Sequence, residues 1–203
     1  MFNKHQSLIQ DYARQSPANM TAVIQFVILT IRVPLHRVAG DIEIAAPQDE
    51  QSRSVLWGHK WEAYERARLD AETTYSYLEY INYQDLSAHD KCAAMIEYLA
   101  DQPGLGLAKA GFVTQLCYGL GGCLDTHNLK RFGYKETTFK EFKSLKRTKT
   151  RRAKLAQYLK ACESAGGCEK LWDGWCEYVA KNQPENYDNA DHVSRLHSDA
   201  FNL

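Results

Sequence analysis

No hydrophobic run in these 203 residues is long enough to cross a membrane. The most apolar one, Met20 to Val33 (MTAVIQFVILTIRV), falls short of the roughly 20 residues a spanning helix needs, and it carries Gln25 and Arg32. No membrane partner is therefore expected. Net charge is missing too: Lys+Arg and Asp+Glu both number 25, which argues against a polybasic coat. It does not exclude nucleic-acid binding if the charge is segregated. The six cysteines (Cys92, Cys117, Cys123, Cys162, Cys168 and Cys176) contain no Cys-x2-Cys pair, and no His pair stands at ligand spacing. A zinc site is thus not expected. Cys92 and Cys117 lie among helical apolar residues, where a free thiol acts as a small hydrophobe. With no signal peptide ahead of them, the expected setting is reducing and intracellular, the cytoplasm. Internal repeats and low-complexity linkers are also lacking.

What is present is ordinary globular composition, with 44% hydrophobic and 25% charged residues. The patterning is helical almost throughout. Residues 2–14 carry a short amphipathic pattern, broken by Ser16-Pro17-Ala18-Asn19. Met20 to Val33 has β-branched content that suits a strand, but nothing else in the chain looks like a partner strand. A buried helix capped by Asn19 is the reading adopted. Ala39 to Ser54 reads as a loop, and Val55 to Asn82 as one long helix or two. Tyr75, Tyr77, Tyr80 and Tyr83 read as half-buried packing or as a stacking surface for bases. Helices are expected over Ser87–Leu99, with Ser87 and Asp90 as a capping pair, and over Lys109–Tyr118. Two more are expected over Arg152–Ser164, ended by Gly166-Gly167, and over Cys168–Ala180. The last has Leu171, Trp172, Trp175, Cys176 and Val179 on its core face. The expectation is an all-α fold with a single domain over 1–183 and a loose polar tail over 184–203.

The stretch Ala100 to Arg131, ADQPGLGLAKAGFVTQLCYGLGGCLDTHNLKR, is the most informative. Pro103 ends or bends the preceding helix. Gly104 and Gly106 permit a tight turn and close approach of the backbone to another molecule. The helix that follows presents its free N–H groups at that turn, which suits an anion.

Pro103-Gly104-Leu105-Gly106, Ala110 and Leu124-Asp125-Thr126-His127 together resemble the helix-hairpin-helix, Gly/Pro-rich loop and Asp signature of the DNA glycosylase superfamily. That superfamily includes endonuclease III and the adenine-mismatch glycosylases. The resemblance covers about thirty residues. It implies that Gly104, Leu105 and Gly106 grip a DNA phosphate through backbone N–H groups, with Lys109 nearby. It also implies that Asp125 stabilises an oxocarbenium-like state or activates water during base excision. Capping of a helix starting near Thr126 is the other role open to Asp125, and the two can hold together. The tyrosines and tryptophans upstream are the expected lining of a pocket for a flipped base. Bifunctional members carry a nucleophilic lysine where this chain has Ala108, and Lys109, one residue later, points roughly 100° away on a helix. A monofunctional hydrolase is implied. Cys162-x5-Cys168-x7-Cys176 offers too few cysteines, wrongly spaced, for the iron–sulfur cluster of endonuclease III-like enzymes. No cofactor is expected.

Beyond the hairpin, Phe139 to Lys154 (FKEFKSLKRTKTRRAK) holds eight Lys/Arg and one acid, Glu141. Such a run is either a solvated face or a phosphate-facing strip. The second reading adds Lys146, Arg147, Arg151 and Arg152 to the DNA contacts. DNA is thus the expected partner. The enzyme reading is a DNA glycosylase acting on a modified or mismatched base. The alternative is a non-catalytic helix-hairpin-helix DNA-binding protein, a structural component of a phage or other nucleoprotein particle. Oligomeric state is not legible.

Overall fold

The computed structural model describes residues 4–140, 142–145, 148–182 and 190–203. Every regular element among them is helical, so the chain is all-α. No described helix is long and apolar enough to cross a membrane.

α1 (Lys4–Ala13) leads into α2 (Pro17–Leu29). Pro17 occupies the first helical turn, where a missing N–H costs nothing, and Ser16 rather than Asn19 is the N-cap, accepting from Asn19 N at 3.2 Å. α2 is apolar nearly all round and accordingly central: Val23, Phe26, Val27 and Leu29 are fully buried, and α1, α4, α5 and α7 all pack on it. The strand alternative for this run is excluded. The loop expected over 39–54 is instead largely helix. α3 (Leu35–Ala45) starts straight after Pro34 and buries Leu35, Val38, Asp41 and Ala45, a 3–4-residue spacing disguised because one of its members is an acid. A 3₁₀ turn follows at Gln51–Ser54.

The 55–82 segment resolves into α4 (Lys60–Leu69) and α5 (Ala71–Tyr83), joined at Asp70. α6 (Ala88–Asp101) opens on Ser87, whose hydroxyl oxygen accepts from Asp90 N and whose proton goes to the Asp90 carboxylate. α7 (Leu107–Tyr118) packs against α6, α1 and α2. α8 (Thr126–Arg131), α9 (Thr148–Ser164) and α10 (Gly167–Asn182) complete the second half.

The C-terminal stretch expected as a loose tail also differs. α11 (Ala190–Asp199) packs on α1 and α10, burying Val193 and His197, with Phe201 buried just beyond it. Val193 and Leu196 both face the core, so the segment reads as polar by composition although it is amphipathic by position. The core is thus closed by residues 190–203.

Candidate functional site

The turn between α6 and α7 is built from both of its glycines, for different reasons. Gly104 has φ +72°, a conformation that disfavours side chains, and a Cβ there would stand 2.5 Å from the Ala63 Cβ of α4. Leu105, between them, is buried and anchors the turn in the core. Gly106 is the N-cap of α7 in an extended conformation, with no atom within 4 Å of where its Cβ would be. The first amides of α7 have no side-chain cap. Gly104 therefore serves the fold, and Gly106 leaves open space in front of a helix N-terminus.

α7 ends at Gly119, and the loop to Asp125 is fixed on both sides. Gly111 of α7 lets that loop approach: a Cβ there would meet Gly122 O at 2.3 Å and Tyr158 Oη at 2.4 Å. The Tyr158 hydroxyl donates to Gly122 O at 2.7 Å and accepts from Leu124 N at 3.3 Å. Burial drives its pKa well above the ordinary phenol value, so it remains a donor. Gln115 accepts from Cys123 N at 3.1 Å and donates to Cys168 O at 2.9 Å, while Asn128 donates to Cys123 O at 2.7 Å. Three buried polar side chains thus hold the loop's backbone over residues 122–124, just before Asp125.

Asp125 is the N-cap of α8. Its Oδ1 accepts from His127 N at 3.1 Å and Asn128 N at 3.0 Å. Among the described residues Oδ2 takes no hydrogen bond. Capping therefore occupies one carboxylate oxygen and leaves the other.

Two concave features meet at this residue. The first is a cavity of about 100 Å³ between the α2–α3 junction, α7 and α10. Phe112, Trp172, Trp175 and Pro34 form its apolar walls; Thr30, Lys109, Asp125 and His127 are among its polar lining. The second is a more open groove of about 430 Å³, lined by Gly106, Leu107, Ala108, Leu129, Phe139, Lys140 and Lys143. Asp125 and Lys109 line both. They form the wall between a groove carrying helix amides and an aromatic cavity.

Lys109 is half-buried. Its ammonium donates to Thr30 Oγ1 at 2.9 Å and lies 5.7 Å from the Phe112 ring centroid. Ala108 lines the groove but not the cavity. A second lysine holds the same helix end: fully buried Lys60 donates to Leu29 O at 3.1 Å. Burial lowers its pKa to about 8, opposed in part by Asp41. Both cations sit at the C-terminus of α2, where the helix dipole favours them. Beyond it Arg32, at φ +57°, turns the chain into the cavity wall at Val33-Pro34.

Behind the aromatic wall lies His197, fully buried, with its ring 4.7 Å from that of Trp172 and 5.1 Å from that of Trp175. Its Nδ1 donates to Val193 O at 3.2 Å, and Nε2 has no partner among the described residues. Burial lowers its pKa to about 4, with the Lys109 charge acting in the same direction, so it is neutral at pH 7. The Trp172 indole N–H is likewise buried and without an acceptor among the described residues.

The basic strip divides. Lys146 and Arg147 lie outside the described residues. Arg152 is exposed. Arg151, expected to face phosphate, turns inward: it bonds Glu97 at 3.3 Å and Asp101 at 2.7 Å and lies 4.0 Å from the Phe142 ring centroid. Two acids of α6 neutralise it, a pairing invisible in a local count of charge. Lys140 and Lys143 are both exposed and line the groove, with Lys143 tied to Gln102 O beside the turn.

The aromatic lining was expected upstream and comes from α7 and α10 instead. Tyr77 stacks on Tyr98 at 4.3 Å, and the Tyr75 hydroxyl donates to Arg14 O, so these two serve packing. The available signal was Trp172 and Trp175, three residues apart on one helical face; the core reading of that face concealed its second role. All six cysteines are unpaired, and burial raises their thiol pKa values, as at Cys123, pushed up to about 12. No group of three or more His, Cys, Asp or Glu among the described residues could hold a metal ion. No protein-family model matches the chain, and no curated protein or solved structure does.

Proposed function

We propose that this protein is a DNA glycosylase-like hydrolase that removes a modified or mismatched base and leaves an abasic site. The observation carrying this reading is the shared wall: Asp125 and Lys109 line both the groove and the aromatic cavity. In this reading the helix-hairpin-helix amides at Gly106–Ala108 hold a backbone phosphate, with Lys140 beside it. A flipped nucleotide then crosses the wall, its base against Trp172, Trp175 and Phe112. Its sugar lies at Asp125, whose Oδ2 stabilises the oxocarbenium-like state and takes a proton from the attacking water. The cap on Oδ1 fixes the carboxylate's orientation at no cost to the free oxygen. Ala108, carrying no amine, supports direct hydrolysis over a lysine-bound intermediate. The test is an excision assay on oligonucleotides carrying damaged, mismatched and phage-type modified bases. Alkali-dependent strand cleavage at one class of base supports the proposal. A borohydride-trapped adduct would contradict the monofunctional part.

One observation favours a second reading. Asp125 has a complete structural role as the α8 cap. A non-catalytic DNA-binding protein of a phage or other nucleoprotein particle would keep that role and the hairpin. Salt-sensitive DNA binding with no excision on any substrate would select it.

A further inference from the structure

The tryptophans of the cavity begin an aromatic series that runs out of it. Trp172, Trp175 and Tyr178 follow one another at three-residue steps along α10. Each step falls about 60° short of a full turn, so the series drifts round the helix from core to surface. Trp172 is buried, Trp175 is half-buried in the cavity wall, and Tyr178 stands beyond it, 36% exposed. The His127 ring of α8 lies against that of Tyr178, with centroids 4.5 Å apart and planes inclined at 34°. His127 is itself exposed and also lines the cavity, so the pair carries the aromatic wall onto the surface. Both rings keep open area that a third planar ring can cover.

Cations flank the pair. Lys130 and Arg131 occupy the last turn of α8 and are exposed. Gly174 of α10 makes room for the Arg131 side chain, because a Cβ there would collide with the guanidinium. Arg131 thereby reaches the helix that carries Tyr178, where it lies 3.6 Å from Glu177. Lys130 is 2.9 Å from Glu136. Exposed ion pairs of this kind are weak, and their cations can be given over to a phosphate. Exposed stacked rings beside such cations, continuous with a cavity, have the chemistry of a platform for unpaired nucleic acid.

Flipping a nucleotide into the cavity uncovers a face of the base next to it. From these features, and resting on the DNA-binding part of the reading above, we propose that the His127–Tyr178 pair is the platform on which that neighbouring base stacks. Lys130 and Arg131 meet its phosphate. The platform recognises the presence of a base and not its identity, since every base has a π-face. It holds the strand at the cavity mouth, a role separate from that of Asp125.

The test uses the full chain with Asp125→Asn, so that no base is excised during the measurement. The probe is a single-stranded oligothymidylate holding one tetrahydrofuran residue, the stable analogue of the abasic product, which sets the register. In two further probes the nucleotide on its 5′ or its 3′ side is replaced by a base-free propyl spacer. Loss of the base on one side is expected to weaken binding about tenfold, the effect of one stacked base. A 2-aminopurine placed on that side should be quenched on binding. With Tyr178→Ala or His127→Ala added, the ratio should fall towards one and the quenching should be lost. Tyr178→Leu, which keeps an apolar side chain against His127, serves if Tyr178→Ala does not fold. A ratio measured on one preparation does not depend on the fraction folded. No DNA binding, ratios near one on both sides, unquenched 2-aminopurine on both sides, or a ratio that survives the Tyr178 and His127 substitutions would overturn the proposal. Excision by the unaltered protein with no neighbour effect would refute the platform and leave the glycosylase reading standing. The neighbour effect with no excision on any substrate would support the platform and remove the enzyme reading.

Discussion

The two glycines of the α6–α7 turn should fail in opposite ways when substituted. At Gly104 the backbone is left-handed and the Ala63 Cβ stands 2.5 Å from any new Cβ. Gly104→Ala therefore combines a left-handed penalty with overpacking, together roughly 2–4 kcal/mol of lost stability. At Gly106 neither applies: φ is −123° and nothing lies within 4 Å. Gly106→Val should cost the fold only about 0.5–1 kcal/mol, through a poorer N-cap. Its isopropyl group would instead fill the space where a phosphate approaches the α7 amides. Each charge-assisted amide–phosphate bond lost is worth roughly 1.5–3 kcal/mol, so affinity for DNA should fall about 100-fold if even one or two are broken. Thermal melts followed by circular dichroism, with fluorescence anisotropy on a labelled duplex, separate the effects. Gly104→Ala should lower the melting temperature and Gly106→Val should lower affinity at near-normal melting temperature. Unchanged affinity for a folded Gly106→Val protein would refute phosphate binding at this turn.

DNA affinity should fall with salt, and Lys140→Ala should flatten the log–log slope by roughly 0.9, the loss of one phosphate contact. Arg151→Ala should leave that slope unchanged and lower the melting temperature instead, because Arg151 is spent on Glu97 and Asp101; a flattened slope for Arg151→Ala would refute its inward role. The His197 pKa, about 4 in the fold against an ordinary 6.5, means that the unfolded chain takes up this proton first. Stability should therefore be full above pH 6.5 and fall as pH drops towards 4, by on the order of 2–3 kcal/mol from this group. His197→Phe should reduce that loss, read from urea midpoints at pH 7 and pH 4.5, and an identical pH dependence in the variant would contradict the burial of a neutral imidazole.

The helical class and the α6–turn–α7 arrangement were legible because their signals are local: a Ser87 cap, a Pro103 break, two glycines and a 3.6-residue apolar period. The cap at Asp125 was legible for the same reason. What escaped was set by tertiary partners. Arg151 belongs to a basic run in sequence and to two α6 carboxylates in space. Leu35 to Ala45 hides a buried face that includes Asp41 in a polar-looking stretch, and α11 does the same near the other end of the sequence. Lys60 looks like a surface lysine and is fully buried against Leu29 O. The cavity draws on residues 30–35, 109–127 and 171–179. No window of sequence contains them together, so its walls could not be read from periodicity, although one of its edges, Asp125, could.

Replacement of Asp125 by asparagine tests the central proposal most directly. The amide oxygen can still accept from His127 N and Asn128 N, so the α8 cap and the melting temperature should be nearly retained. The uncharged group can neither stabilise a sugar cation nor take a proton from water. Against a substrate that the unaltered protein excises, Asp125→Asn should lose base excision by about a hundredfold or more while binding the same DNA as tightly or more tightly. Excision undiminished in the folded Asp125→Asn protein would contradict catalysis at this carboxylate.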